Sequence, residues 1–246
     1  MATKIFLGEP PADIKQWIID HTTPPGPAGH SETIFTLQGG TVETYNITGL
    51  ITKQWMIDNG YLVYNSEWDG YDWQKEIAQV EIGNTVTSIG DKAFQYSNIA
   101  SVDFGSGVTT IGDSAFSDCW GLASVTIPSN MRTVGNSAFE KCGNLTSLTI
   151  NEGVTTIGNG SFCDLENLSG NLVIPNSVIT ISQGAFANNS LTSLTIGSGV
   201  TSIAEYAFME TNLKTITVLG KTTAQAQDLL ANTGVPEECT IIGELG

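Results

Sequence analysis

The chain has 246 residues, of which only 14% are charged, yet Asp and Glu outnumber Lys and Arg by 25 to 9 and leave a formal net charge of -16. So acidic a surface repels phosphate polymers and gains nothing from counterion release, which argues against nucleic acid and anionic membranes as partners. The opening residues, MATKIFLGEPPADIK, lack the basic start, apolar run and small-residue cleavage site of a secretory signal. No apolar run approaches the roughly 20 residues that cross a bilayer, so a soluble chain made in the cytoplasm, without membrane insertion, is expected. Four cysteines, Cys119, Cys142, Cys163 and Cys239, are too few for a disulfide scaffold.

Taken in chain order, Lys4 to Leu7 reads as a strand and Pro11 to Asp20 as a short helix with Ile14, Trp17 and Ile18 on one side. The stretch HTTPPGPAGH, residues 21–30, breaks all regular structure. Residues 1–30 therefore read as an attachment segment with a Pro/Gly linker, and as the candidate site of homo-oligomerisation. Strands are expected over Thr33 to Leu37, Val42 to Ile47 and Tyr61 to Tyr64, with a helical turn around Leu50 to Ile57. Residues 31–76 are thus expected to form a small β-rich domain or N-terminal cap that abuts the remainder of the chain near Trp73.

From about residue 77 the chain repeats. Ala-Phe recurs at Phe94, Phe116, Phe139, Phe186 and Phe208, with Ser161-Phe162 filling the remaining slot, at spacings of about 22 to 24 residues. Before each Phe stands a short Thr-rich, β-branched segment, such as Val108 to Ile111 or Val154 to Ile157, which favours extended backbone. After it stands an alternating segment, such as Leu122, Val125, Ile127 or Leu145, Leu148, Ile150, which predicts a strand with one buried face. Ile77, Val80 and Ile82 open the same register, and the fourth unit carries extra residues near Ser169 and Gly170, where a bulge is expected. One unit buries about five apolar side chains at roughly 1.5 to 3 kcal/mol each, less than the roughly 1 to 2 kcal/mol per residue needed to order its backbone, so units must stack. Seven or eight rungs at strand spacing give a rod or shallow arc on the order of 35 Å long. A capped helix over Thr222 to Ala231, stopped by Asn232 to Pro236, and a final strand over Cys239 to Ile242 are expected to close the far end.

The segments TTIGDSAFSDC, from Thr109 to Cys119, and VTIP, from Val125 to Pro128, resemble the BspA-like leucine-rich repeats of bacterial surface proteins. The resemblance covers residues 80 to 218. It implies adhesion or binding to proteins and cell surfaces, with no shared catalytic motif. The expected fold class is α/β and β-rich: a right-handed leucine-rich-repeat solenoid with a parallel sheet over residues 77–220, preceded by the small β-rich domain and followed by a cap over 221–246.

Chemistry-bearing residues are few. Cys119 and Cys142 each stand three residues after a Phe; a disulfide is within reach at rung spacing, but a ladder of small buried thiols is the expectation. His21 and His30, the only histidines, flank the linker, where nothing rigid would hold a zinc or catalytic pair. The cluster from Glu67 to Trp73 offers carboxylates for calcium and rings for sugar but lacks the ligand spacing of an EF-hand; a loop whose tryptophans cover the first rung is expected. No nucleophile elbow, phosphate loop or zinc motif appears, so neither enzyme activity, nor cofactor, nor metal is expected. The candidate binding face is the solvent side of the strands, Ser101, Asp103, Ser124, Thr126, Ser147, Thr149, Ser193, Thr195 and Thr217, with Trp120 at the Cys119 corner as a contact residue. Such a face suits a protein, a cell-surface glycan or ice. The expected function is non-enzymatic recognition or adhesion, with the N-terminus attached to a phage virion or a bacterial surface; the alternative is an intracellular scaffold joining protein partners.

Overall fold

Short β-branched segments that recur at one period give parallel strands, because equivalent residues of successive units then meet at the same height. The computed structural model describes residues 4–5, 32–65, 70–73 and 77–245. The helix expected over 11–20, the linker with His21 and His30, and Trp68 lie outside them.

Each repeat adds one strand to each of two parallel arrays. The first array comprises β7 (Ile77–Glu81), β9 (Ser101–Asp103), β11 (Ser124–Ile127), β13 (Ser147–Ile150), β15 (Ser169–Ile174), β17 (Ser190–Ile196) and β19 (Thr215–Leu219). The second comprises β8 (Val86–Ile89), β10 (Thr110–Ile111), β12 (Thr133–Val134), β14 (Thr156–Ile157), β16 (Thr180–Ile181) and β18 (Ser202–Ile203), joined at its N-terminal end by β4 (Gly49–Ile51) into one seven-stranded parallel sheet. A third side of each coil is a turn containing the Phe. The product is a β-solenoid. The Ala and Phe of each turn are buried, as are Leu122, Val125, Ile127 and their equivalents, so the alternation expected from the sequence is the alternation of the core.

The phenylalanines form a continuous stack. Ring centroids are 5.0 Å apart from Phe94 to Phe116, 5.2 Å to Phe139, 5.5 Å to Phe162, 5.4 Å to Phe186 and 5.9 Å to Phe208, with interplanar angles of 11° or less. These separations follow the strand spacing of roughly 4.8 Å, so the rings are carried at the pitch of the backbone. The backbone runs in step: Phe116 N–H donates to Ala138 O, and Phe139 N–H to Ser161 O, both at 2.8 Å.

Three residues after each Phe stands a second buried column, Ser97, Cys119, Cys142, Leu165, Asn189 and Thr211. Four of these side chains donate to a Phe carbonyl. Cys119 Sγ reaches Phe94 O at 3.2 Å, Cys142 Sγ reaches Phe116 O at 3.1 Å, Asn189 Nδ2 reaches Phe162 O at 3.2 Å, and Thr211 Oγ1 reaches Phe208 O at 2.9 Å. The column thus satisfies carbonyls that burial would otherwise leave short of partners. Both cysteines are free thiols, as the ladder reading expected. The Cys119 side chain and burial push the Cys142 thiol well above its ordinary value.

The first array is broken twice. β7 to β9 belong to one sheet, β11 and β13 to a second, and β15, β17, β19 and the final strand β20 (Thr240–Glu244) to a third. The breaks fall where Pro128 and Pro175 follow β11 and β15. At the equivalent positions Asn151 N–H donates to Ile127 O at 3.0 Å and Gly197 N–H donates to Ile174 O at 2.9 Å. Proline has no N–H to give. The extra residues of the fourth unit appear as a register shift between Gly170 and Asn171 where β15 pairs with β17. Gly170 takes φ +83° there, which a side chain would resist.

The ends are closed by residues that do not repeat. β2 (Thr33–Leu37) pairs antiparallel with β7 and with β3 (Val42–Tyr45), and β1 (Lys4–Ile5) pairs with β3. Phe35 of β2 meets Phe94 at 6.3 Å and is enclosed by Tyr45, Trp55 and Tyr61, so the stack ends in an aromatic cluster. Trp55 lies on α1 (Lys53–Asp58), capped by the Thr52 side chain. Tyr61 and Tyr45 hydroxyls both donate to Glu43 Oε2, at 2.5 and 3.1 Å. Burial pushes the Tyr45 phenol up to about 12 and raises that of Tyr61 as well. These four rings close the stack at this end; β6 (Gly70–Trp73) pairs with β5 (Leu62–Asn65) as a hairpin. At the far end Gly234 stands in the Phe slot, since Phe208 N–H donates to Thr233 O. There α2 (Thr223–Leu229) takes over, with a Thr222–Gln225 capping box and buried Ala226, while Leu230 just past it also joins the core.

Phe139→Ala removes one ring from the middle of the stack and leaves a void between Phe116 and Phe162. Urea unfolding should show a loss of about 3 to 5 kcal/mol; a loss below about 1 kcal/mol would mean that the stack does not carry the core. The thiols give a second test. Burial pushes Cys163 up to about 12 from an ordinary 9.0, so the folded chain keeps a proton that the unfolded chain releases. That stability is whole below about pH 9 and is lost as pH rises toward about 12. Iodoacetamide at about pH 8.5 should alkylate buried Cys119 and Cys142, and half-buried Cys163, more slowly in the native chain than after denaturation; equal rates would refute this placement.

Candidate functional site

Strand geometry alone decides which side chains leave the first array. In β11 and β13 the pattern is exposed, buried, exposed, buried, with Val125, Ile127, Leu148 and Ile150 inward and Ser124, Thr126, Ser147 and Thr149 outward. Their register pairs Ser124 with Ser147 and Thr126 with Thr149. Further along, Asn171 pairs with Ser193 and Ser193 with Thr215, while Val173 pairs with Thr195 and Thr195 with Thr217. Thr240 and Ile242 of β20 end the two columns beside Thr215 and Thr217. Ser101 and Asp103 open them beside Gln79 and Glu81.

All nine strand residues expected to form a face therefore lie on one. Asp103, Ser124, Thr126, Ser147 and Thr149 are exposed, while Ser101, Ser193, Thr195 and Thr217 are half-buried by their neighbours. Sequence reasoning missed Asn171, Val173, Thr215, Thr240 and Ile242. The fourth unit hid the first two behind its insertion, and counting back two residues from Ile174 would have found Leu172 inward and Val173 outward. Val173 is 52% exposed and Ile242 42%, the two aliphatic side chains on an otherwise hydroxyl and amide surface. From β11 to β20 neither column carries an ionisable group.

Trp120 is placed elsewhere. It sits in the turn before β11 and not in a strand column, with 52% of its surface exposed. Tyr96, 47% exposed, lies in the preceding turn. Along this turn side the charges are mixed. Lys141 lies 3.6 Å from Glu140, and Glu140, Asp118 and Asp164 together raise its pKa. A cleft of about 370 Å³ opens among Asp164, Glu166, Asn188, Asn189, Ser190, Glu210 and Asn212. Its side chains already bond to the fold: Asn188 Nδ2 donates to Asp164 Oδ1 at 2.6 Å, and Asn189 to Phe carbonyls. Among the described residues no three His, Cys, Asp or Glu side chains converge as metal ligands would.

The second array has its own outward column, Ser88, Thr110, Thr133, Thr156, Thr180 and Ser202, in register from rung to rung. Beside it, side chains serve the backbone: Asp91 Oδ1 accepts from Asp113 N–H, Asp113 Oδ1 from Asn136 N–H, and Asn136 Oδ1 from Asn159 N–H, at 2.8 to 2.9 Å. Glu152 accepts from the N–H groups of Asn176 and Ser177, which hold its carboxyl below the usual range. Several of the acidic residues are thus structural caps between rungs.

Comparison with known proteins agrees with this architecture. The BspA type leucine rich repeat region matches in six copies over residues 70–170 and 167–242. No curated protein matches the chain. Among solved structures, the Treponema pallidum leucine rich repeat protein aligns with a TM-score of 0.53 and 23% identity over 73% of this chain and 95% of that one, a likeness of fold. The pneumococcal vaccine antigen PcpA aligns with a TM-score of 0.48 and 16% identity over 81% of this chain and 64% of its own. A leucine rich cell surface protein of Faecalibacterium prausnitzii gives a TM-score of 0.42 and 26% identity, covering 80% of this chain and 55% of its own. This chain spans less than two thirds of the length of either of the last two. With six repeat copies spread over most of its length and their register visible in both arrays, the chain belongs to the BspA-type leucine-rich-repeat family.

Proposed function

We propose that the chain is a non-enzymatic recognition protein whose strand face, from β11 to β20, binds a protein or a glycan on a cell surface. One observation carries the reading. In a chain with 25 acidic residues, twelve outward positions on six successive strands hold Ser, Thr, Asn, Val or Ile and no charge. At strand spacing this face extends about 24 Å. It offers hydroxyls as both donors and acceptors, without the desolvation cost of burying carboxylates. Membership of the BspA-type repeat family supports the same reading.

The N-terminal segment, joined to the solenoid through the Pro/Gly stretch, is on this proposal the attachment to a larger assembly, either a bacterial surface or a phage virion. The same segment is the candidate for assembly into homo-oligomers. Binding of the purified, fluorescently labelled chain to a panel of bacterial and epithelial cells tests the face. Thr126→Arg together with Thr149→Arg should lower bound fluorescence by roughly tenfold, equivalent to about 1.4 kcal/mol, with an unchanged melting temperature. Loss of wild-type binding after protease treatment identifies a protein ligand, and loss after periodate identifies a glycan. Equal binding by variant and wild type, or binding to no cell at all, rejects the face. Recovery of the chain only in cytosolic complexes on fractionation rejects the surface placement in favour of a scaffold.

A further inference from the structure

A repeat protein contains its own comparison set, because each slot is built several times in the same surroundings. A residue that the fold needs recurs, whereas two departures side by side on adjoining rungs mark a place that the fold does not dictate. Tyr96 departs in this way. The equivalent positions two residues after each Phe are Asp118, Lys141, Asp164, Asn188 and Glu210. All of them, with Tyr96 at φ +62°, lie in the left-handed region. A bulky aromatic residue is poorly suited to that backbone, and with 47% of its surface exposed Tyr96 gains little packing in return. Trp120 departs as well. Its slot, four residues after the Phe, holds Asn98, Gly143, Glu166 and Ser190 in other rungs, and Trp120 is 52% exposed.

The two departures occur on adjoining turns. Tyr96 N–H donates to Ser117 O at 2.9 Å, and a Cβ on Gly121 would come within 2.6 Å of Asn98 O, so the turns over 96–98 and 117–121 lie against each other. The Trp120 turn is held from the other side too, since Asn144 Nδ2 donates to Trp120 O at 2.6 Å. Two exposed rings are therefore presented on a rigid base, with exposed Asn98 and half-buried Asp118 beside them. Preorganised rings lose little entropy on binding.

We propose that Tyr96 and Trp120 form a stacking subsite for a neutral glycan, separate from the strand face. A pyranose lays its C–H face on an aromatic ring and turns its hydroxyl edge to amides and carboxylates, which Asn98 and Asp118 supply. A protein partner fits less well, because the rings are set among polar residues and do not form a contiguous apolar patch. Anionic polymers are repelled by the net charge of -16.

The test uses the full chain on an array of immobilised neutral glucans, galactans and mannans beside heparin and polysialic acid. Binding to at least one neutral polymer and to neither anionic one is expected. Tyr96→Asn and Trp120→Gly introduce residues that the same slots carry at Asn188 and Gly143, so both variants should keep the wild-type melting temperature. Each should weaken glycan binding roughly tenfold. Thr126→Arg with Thr149→Arg, which tests the strand face, should leave it unchanged, so failure of one site is distinguishable from failure of the other. No neutral glycan bound, anionic polymers bound equally, or undiminished binding by the two aromatic variants would each overturn the subsite.

Discussion

Register is the constraint that governs every other feature of this molecule. Every coil must return its chain to the same lateral position one strand higher, so that the ring of one Phe settles 5.0 to 5.9 Å from the next and nearly parallel to it. Neighbouring features obey the same rule. The buried donors three residues on repeat with it, and so do the left-handed residues that turn each coil, Lys92, Ser114, Ser137 and Tyr206 in one column and Tyr96, Asp118, Lys141, Asp164, Asn188 and Glu210 in another. Such backbone is costly for most residue types and persists only where its surroundings over-determine it. Here the hydrogen bonds of the adjoining rungs do so.

The repeating part of this structure was legible because period and burial are the same information. A side chain that recurs at about 22 to 24 residues with alternating neighbours has one place to go, which is why the core residues, the bulge at Gly170, the thiol column and the Thr222 cap could be read from the chain. The N-terminal strands were expected and appear as β2, β3 and β5, but the ring contacts that end the stack were not legible, for a corresponding reason. Phe35 meets Phe94 across a sequence separation that no periodicity marks, and Trp55 and Tyr61 have no equivalents elsewhere to reveal their slot. The rings seen to end the stack are spread over four separate segments. The sheet breaks occupy a middle ground. Pro128 and Pro175 are visible, but their effect is apparent only once Asn151 and Gly197 are seen to donate from the equivalent position.

The fold dictates some positions and leaves others open. Inward positions are fixed by volume and hydrogen bonding, as the slot of Cys119 and Cys142 shows by accepting Ser, Asn or Thr but always something small or able to donate, with Leu165 the exception. Outward positions are under no such demand. They are where one solenoid can differ from another without changing its core.

A structural explanation for the uncharged strand face has to be weighed against this. Like charges stacked at strand spacing repel by roughly 1 kcal/mol per pair in water, so a column of carboxylates would be disfavoured on any solenoid. Repulsion alone does not account for the face. Opposite charges can alternate, as Asp118, Lys141 and Asp164 do in a neighbouring column, and even Glu81 beside Asp103 is tolerated at the first rungs. Strand propensity favours Thr at these sites but not Ser or Asn, which stand at Ser124, Ser147, Asn171 and Ser193. Neither repulsion nor propensity yields two columns free of both signs of charge across six strands, and the neutral partner proposed above, against which the face would be dried, supplies the missing demand.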